Sequence, residues 1–344
     1  MLPRSGNREL MRDINRHLVL NLIKNRGPVS RTDVAALSGL AQGTITNITR
    51  DLLEAGIVRE VASGPSTGGR RPILLQIDPA GGYALGVKLT PGREFVLALT
   101  DLDGNVSQSQ VVSACDPAQV ERYVDCLESA AQGFLAGAGV DEARLIGIGV
   151  GLPGFVDHAN GICRHSALLG WHDVPLRALL ESRFAAPVVL DNDVNTLTLY
   201  EALFGRGRGL SDFVVVTIGS GVGMGAYVNG AMLRGAGGGA GEFGHIPVAP
   251  DGPVCNCGNR GCLEALVSNG ALVEQARAAG LPVRVVDDLL RLTQAGEPAA
   301  RAIYARAGAW FGRGLAVLVN VFNPSHVIFS GEGAKAIAFL LPSL

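Results

Sequence analysis

The spacing of apolar positions gives the first part of the chain a helical texture. Leu10, Ile14, Leu18 and Leu22 recur every four residues, the spacing of one helix face. Pro28 interrupts it. Ser30 followed by Asp33 reads as a capping box that opens a second helix over 31–37. Ser38-Gly39-Leu40 supplies a tight turn, and a third helix is expected over 41–55 with Gly56 as its stop. Ile45, Ile48, Leu52 and Leu53 are its buried positions. That leaves Gln42, Thr44, Thr46, Asn47 and Arg50 on the outer side, polar groups able to touch base edges or phosphates. Two strand-like runs follow at 57–61 and 73–77, separated by a Gly-rich segment tipped with Arg70 and Arg71. Helix-turn-helix followed by a basic hairpin is the pattern of a winged helix. Its third helix would enter the major groove and its wing would touch the backbone or minor groove. The competing reading is a three-helix protein-interaction module; turn, polar face and basic wing together favour double-stranded DNA.

From Tyr83 onward strands and helices alternate. Runs at 83–88 and 95–101 read as a hairpin pair, and Asp103-Gly104 turns into a further strand. A helix is expected over 117–136. A buried strand at 145–151 runs into Gly151-Leu152-Pro153-Gly154. After a helix at 176–184, a strand at 188–190 enters Asp191-Asn192-Asp193. A strand at 213–218 enters a run with glycine at 219, 221, 223 and 225. Strands that end in polar or Gly-rich turns place ligands at their carboxyl ends.

Composition sharpens this picture. The chain has 344 residues, 47% of them hydrophobic and 17% charged, with 47 glycines and six cysteines. The apolar fraction rules out a disordered chain. The absence of a Gly-X-Y period rules out collagen. No run approaches a transmembrane span and no apolar h-region opens the chain, so a cytoplasmic protein without a membrane partner is expected. The formal charge of −2 hides an asymmetry: residues 1–75 carry +5 and the remainder −7, a basic module joined to an acidic one. Cys115, Cys126 and Cys163 are scattered and read as small core hydrophobes. The remaining histidines, His17, His158, His165, His172 and His326, have no company that suggests chemistry.

The chemistry concentrates late in the chain. Gly241-Glu242-Phe243-Gly244-His245 precedes Cys255-Asn256-Cys257-Gly258-Asn259-Arg260-Gly261-Cys262-Leu263-Glu264. His245, Cys255, Cys257 and Cys262 are the donor set of a closed, structural tetrahedral zinc site. Glu242, His245 and Glu264 bracket that knuckle. With Asn192 and Asp193 they suit a polyhydroxylated ligand, His245 using one ring nitrogen for metal and offering the other. Asp193 could accept a proton from a hydroxyl. The plainer reading makes Asp191 or Asp193 a helix N-cap. Gly219, Gly221, Gly223 and Gly225 could cradle a phosphate with backbone N–H groups, a weak signal, since such runs are often only turns.

Together these residues resemble the family named for repressors, open reading frames and sugar kinases (ROK), over nearly the whole chain. Glu-x-Gly-His followed by Cys-x-Cys-Gly-x-x-Gly-Cys-x-Glu carries the likeness, and Gly151-Leu152-Pro153-Gly154, Trp171, the Asn-Asp pair and the Gly-rich run fall in the family's order. The resemblance implies an α/β fold: a winged helix-turn-helix over 1–78, then a two-lobed actin/hexokinase-like ATPase fold with a zinc knuckle over 79–344. The small lobe would span about 79–192 and the large lobe about 193–344. It implies that Asn192, Asp193, Glu242, His245 and Glu264 bind sugar hydroxyls, and that Asp193 sits at the position of the kinases' catalytic base, here vestigial. A winged helix ahead of this core is the arrangement of the family's xylose- and N-acetylglucosamine-type repressors.

Two departures matter. The kinases open the core with Asp-x-Gly-Gly-Thr, where this chain has Lys88-Leu89-Thr90-Pro91-Gly92. Lys88 replaces an acid that helps position Mg²⁺–ATP, and Pro91 lacks an N–H donor. That disfavours ATP and Mg²⁺ as cofactors and favours a sugar-responsive repressor of carbohydrate genes, acting as a homodimer or homotetramer on an operator. The alternative is an ATP-dependent sugar kinase with a DNA-binding appendage. The second departure is the ending: family members continue for one or two helices past Gly331-Glu332-Gly333, so an incomplete C-terminus is expected.

Overall fold

The computed structural model describes residues 8–63, 72–90 and 93–343. Arg70 and Arg71 of the expected wing tip, and Pro91 and Gly92, lie outside the described residues. The chain divides into two compact units, one within 1–150 and 178–189, the other within 151–177 and 190–344.

The first unit opens with α1 (Arg8–Arg26), β1 (Val29–Ser30), α2 (Arg31–Ser38), α3 (Gln42–Glu54), β2 (Val58–Ser63) and β3 (Ile73–Ile77). The strands form a sheet of order β1-β3-β2. Ser30 caps α2 by accepting the Asp33 N–H at 3.1 Å, and Gly39 ends it at φ 69°, a left-handed conformation that glycine adopts without a Cβ penalty. Ile45, Ile48 and Leu52 of α3 are buried as expected, with Val34, Val58, Leu75 and Ile77 around them. The α1 stripe is a correction. Ile14 is 50% and Leu18 39% exposed, whereas Val19 and Ile23 fill the core. At 3.6 residues per turn a strict four-residue spacing drifts about 40° per step, so the stripe does not keep one side to the core: Leu22 packs against it from a half-buried position, while Val19 and Ile23 fill it.

The rest of this unit is a sheet of order β11-β7-β4-β5-β6, made of β4 (Tyr83–Leu89), β5 (Glu94–Thr100), β6 (Val106–Ser113), β7 (Leu145–Leu152) and β11 (Val188–Asn192), with α4 (Val120–Ala138) and α5 (Leu176–Glu181). Phe95 of β5 meets Tyr123 of α4 edge-to-face at 4.9 Å. Cys115 and Cys126 form a disulfide between the segment after β6 and α4. Of the three cysteines read as core hydrophobes, only Cys163 is a buried free thiol.

The second unit carries the hairpins β8 (Phe155–Asp157), β9 (Ile162–Ser166) and β10 (Trp171–Val174), then α6 (Asp193–Leu203). Its main sheet has order β14-β13-β12-β15, from β12 (Phe213–Ile218), β13 (Val222–Val228), β14 (Ala231–Leu233) and β15 (His326–Ser330). Helices α7 (Leu263–Val267), α8 (Asn269–Ala278), α9 (Val286–Gln294), α10 (Pro298–Phe322) and α11 (Ile337–Leu340) complete it. One apolar core joins Val214, Val216, Met224, Phe243, Leu263, Tyr304 and Phe311.

Glycines set the distance between β13 and α6. A Cβ on Gly225 would fall 2.0 Å from Thr198 Oγ1, and one on Gly223 would fall 2.9 Å from Val194 Cγ2. Gly225→Ala should therefore overpack this contact and destabilise the chain by about 1–3 kcal/mol. Chemical denaturation of both proteins measures it; equal stability would show that α6 can shift at no cost.

Candidate metal centre and effector site

The knuckle is built by short hydrogen bonds. Cys255 N–H donates to the Asn259 carbonyl at 2.7 Å, Gly258 N–H to Cys255 at 2.9 Å, Gly261 N–H to Pro253 at 2.8 Å and Leu263 N–H to Ile246 at 3.0 Å. Gly261 sits at φ 66°, and a Cβ there would fall 1.5 Å from the Ala249 carbonyl oxygen, so only glycine passes the chain through. These turns bring His245, Cys255, Cys257 and Cys262 together with all four donor atoms within 4.8 Å of one another. His245 Nδ1 lies 3.5 Å from Cys255 Sγ and Cys257 Sγ lies 3.6 Å from Cys262 Sγ. A tetrahedron with Zn–S near 2.3 Å has edges of about 3.7 Å, so these two edges match those of a zinc site, and the four donors are a set that could hold such an ion. Burial is the main cause that pushes the Cys262 thiol up, while the Asn259 backbone N–H pulls Cys257 down.

The other ring nitrogen of His245, Nε2, faces Glu242 Oε2 at 3.7 Å. Partial burial raises the Glu242 carboxyl; His245 works against that rise and Glu264 adds to it. Glu264, in α7 directly after Cys262, accepts the Val222 N–H at 3.0 Å. A Cβ on Gly221 would fall 2.8 Å from the same oxygen. One carboxylate thus braces the turn between β12 and β13 against the knuckle.

Asn192 turns out to be the N-cap of α6, the role offered above to Asp191 or Asp193. Its Oδ1 accepts the Val194 and Asn195 N–H groups at 2.8 and 3.3 Å, and its Nδ2 donates to the Gly154 carbonyl at 3.1 Å. Asp193 is the first residue of that helix. Asn192 caps α6, whose Val194 lies against Gly223 of β13. Glu264 braces Val222 at the start of that strand, and a Cβ on Gly244, between Glu242 and His245, would fall 2.1 Å from the Val222 carbonyl oxygen. Asn192, Glu242, His245 and Glu264 thus all attach to elements packed around β13.

The four glycines expected to cradle a phosphate divide into two pairs. Gly219 and Gly221 make the β12–β13 turn, Gly219 N–H bonding to the Gly221 carbonyl at 2.9 Å. Gly223 and Gly225 lie in β13, paired with Thr217 and Val215, and serve packing on α6. Of the altered first phosphate loop, Lys88 and Leu89 end β4, with Leu89 fully buried.

On α3, Gln42, Thr46, Asn47 and Arg50 are exposed and Thr44 is half-buried. Arg50 lies 3.5 Å from Asp51 and 3.8 Å from Glu54. Arg12 pairs with Asp51 at 2.9 Å and holds that carboxyl below the usual range. Arg31 was not singled out from sequence, yet it ties α2 to Thr49 at 3.1 Å and to Glu60 at 2.9 Å. Two histidines read as isolated are paired: His165 Nδ1 and His172 Nε2 stand 3.1 Å apart across β9 and β10. Among the described residues no helix is long and apolar enough to cross a membrane.

A winged helix ahead of a two-lobed, hexokinase-like body defines a class of DNA-binding transcriptional regulators built on a sugar-kinase fold. The chain belongs to the ROK family, whose profile matches residues 86–344, and residues 12–59 match a winged helix-turn-helix DNA-binding profile. It is 32% identical over 343 residues to a xylose repressor of Caldicellulosiruptor bescii, covering 96% of this chain and 86% of that one. A crystal structure of a ROK-family transcriptional regulator, a homologue of the E. coli MLC protein, superposes with TM-score 0.86 at 30% identity, covering 97% of this chain and 86% of that one. A ROK-family glucokinase from Streptomyces griseus, in complex with glucose and AMPPNP, superposes with TM-score 0.66 at 29% identity over 76% of this chain and 88% of that one.

Proposed function

We propose that the chain is a sugar-responsive repressor of carbohydrate genes, with a DNA reader over 1–78 and a sugar sensor over 79–344. One observation carries the reading: a winged helix shares its chain with a body in which Asn192, Glu242, His245 and Glu264 attach to elements packed around β13 and Asp193 opens the helix that Asn192 caps. In this reading those five residues take the hydroxyls of the effector. Zinc on His245, Cys255, Cys257 and Cys262 keeps Glu242 and Glu264 in place and does no chemistry on the sugar. Two glycines of the expected phosphate cradle serve packing, and Lys88 stands where the kinases keep an acid, so the sugar is sensed and not phosphorylated. The effector releases the operator by binding one conformational state of the regulator better than the other.

Gln42, Thr44, Thr46, Asn47 and Arg50 face the operator in this reading, and Arg70 and Arg71 take its backbone. Operators read by winged helices are two-fold, so the regulator acts as a homodimer or homotetramer. Arg70→Ala with Arg71→Ala should weaken binding to every DNA sequence alike and lower the slope of log affinity against log salt by about 2. Fluorescence anisotropy across a salt series measures this; an unchanged slope would remove the wing from the interface.

A further inference from the structure

Asp191 ends the buried part of β11 and is only 2% exposed, yet both its carboxylate oxygens are engaged. Oδ1 accepts the Asn192 N–H and an Asn195 side-chain N–H, each at 2.9 Å. Oδ2 accepts the Arg234 Nε–H at 2.7 Å and lies 3.6 Å from His158 Nδ1, whose ring nitrogen also meets the Leu190 carbonyl at 2.8 Å. These bonds fix the turn that presents Asn192 and Asp193.

Arg234 follows β14 directly. After it, glycine occupies positions 235, 237, 238, 239 and 241, and the run ends at Glu242. Gly238 and Gly241 have φ of 76° and 93°, and a Cβ on them would fall 2.1 Å from the Val156 carbonyl oxygen and 2.2 Å from the Met224 carbonyl oxygen. So many glycines give a segment little stiffness of its own. Its course is set by those two close approaches, by the Ala240 N–H donating to the Arg234 carbonyl at 3.1 Å, and by its ends, the Arg234–Asp191 pair and the His245 knuckle.

We propose that Arg234 is a positioning residue for the effector site: through Asp191 it holds the Asn192–Asp193 turn and the glycine segment that carries Glu242 in one fixed relation. The inference deepens the sensor reading and rests on it for its affinity measurement; its exchange measurement rests on the geometry alone. Loss of Arg234 would leave Asp191 buried without its guanidinium partner, the costly half of breaking such a pair. Neutralising both partners leaves no such charge.

The test uses the full, zinc-loaded chain as wild type, Arg234→Gln, Arg234→Lys and Asp191→Asn/Arg234→Gln. Hydrogen exchange is followed at 191–196 and 234–242, with zinc content and affinity for D-xylose, D-glucose and N-acetylglucosamine measured alongside. Arg234→Gln should speed exchange about tenfold or more in both segments together and weaken sugar binding about tenfold, with zinc retained. The double variant should lie nearer wild type than Arg234→Gln. Arg234→Lys keeps the charge and loses the Nε geometry, so it should show a smaller rise in the same two segments; it carries the test if the glutamine variant does not fold. Loosening confined to 234–242, or sugar affinity within twofold of wild type, would overturn the proposal. If wild type binds none of the sugars, the sensor reading fails while exchange in the two segments still decides the role of Arg234.

Discussion

Replacing Cys257 by serine should take the metal content of the purified chain from one zinc per chain to none. Cys257 is exposed, so the substitution opens no core cavity and its consequences report on the metal alone. The remaining His245, Cys255 and Cys262 would hold zinc weakly, since a structural site needs four closed ligands. A ligand at a thousand times its Kd stabilises the native state by about 4 kcal/mol. At about 2–4 °C per kcal/mol for a body of this size, Tm should fall by about 10 °C. Sugar response should be lost with the metal, because Glu264 follows Cys262 by two residues and Glu242 faces the zinc-ligating ring. Metal analysis by plasma emission alongside thermal melting decides it; a variant that keeps one zinc per chain would refute the ligand assignment.

Glu264→Gln should separate sensing from folding. The amide oxygen of glutamine can still accept the Val222 N–H that Glu264 takes at 3.0 Å, so the β12–β13 turn stays braced. What is lost is the charge on the acceptor. Hydrogen bonds to charged groups contribute about 1.5–3 kcal/mol against about 0.5–1.5 for neutral ones, so sugar affinity should drop about tenfold. Operator affinity without sugar should stay within about twofold of wild type. Glu264→Ala should do more, since it also leaves the Val222 N–H without its partner and the space beside Gly221 unfilled. Titration calorimetry with the sugar that wild type binds measures both variants. An unchanged Glu264→Gln would place the sugar elsewhere.

The cluster of His245, Cys255, Cys257 and Cys262 was legible in the sequence because cysteine and histidine are scarce and their spacing admits few other purposes. The helix-turn-helix was legible for a different reason: the cap that opens α2, the Gly39 turn that ends it and the periodic face of α3 all fall between Ser30 and Gly56. The α1 stripe reached the core at Leu22 but not at Ile14 or Leu18, because adjacent positions, Leu18 and Val19 or Leu22 and Ile23, are equally apolar, and only the tertiary partner decides between them. Arg234 escaped because its partner lies 43 residues away, where no local pattern reaches. The jobs of Gly223 and Gly225 escaped for a related reason: glycine at every second position describes both a loose loop and the inward face of a strand pressed on a helix, and Thr198 settles which. Cys115 and Cys126 stand eleven residues apart with no motif around them.

In the proposed function, sugar binding on the body is read out as operator release by the winged helix. The most direct test of that readout is fluorescence anisotropy of the full, zinc-loaded chain on an operator fragment selected from random DNA. The titration is run without sugar and with D-xylose, D-glucose, N-acetylglucosamine and their phosphates, while ADP release from ATP is followed in parallel. One of these sugars should weaken operator affinity about tenfold or more, and no sugar should drive ADP release. Operator affinity indifferent to every sugar, or turnover with a sugar that Asp193→Asn abolishes, would contradict it.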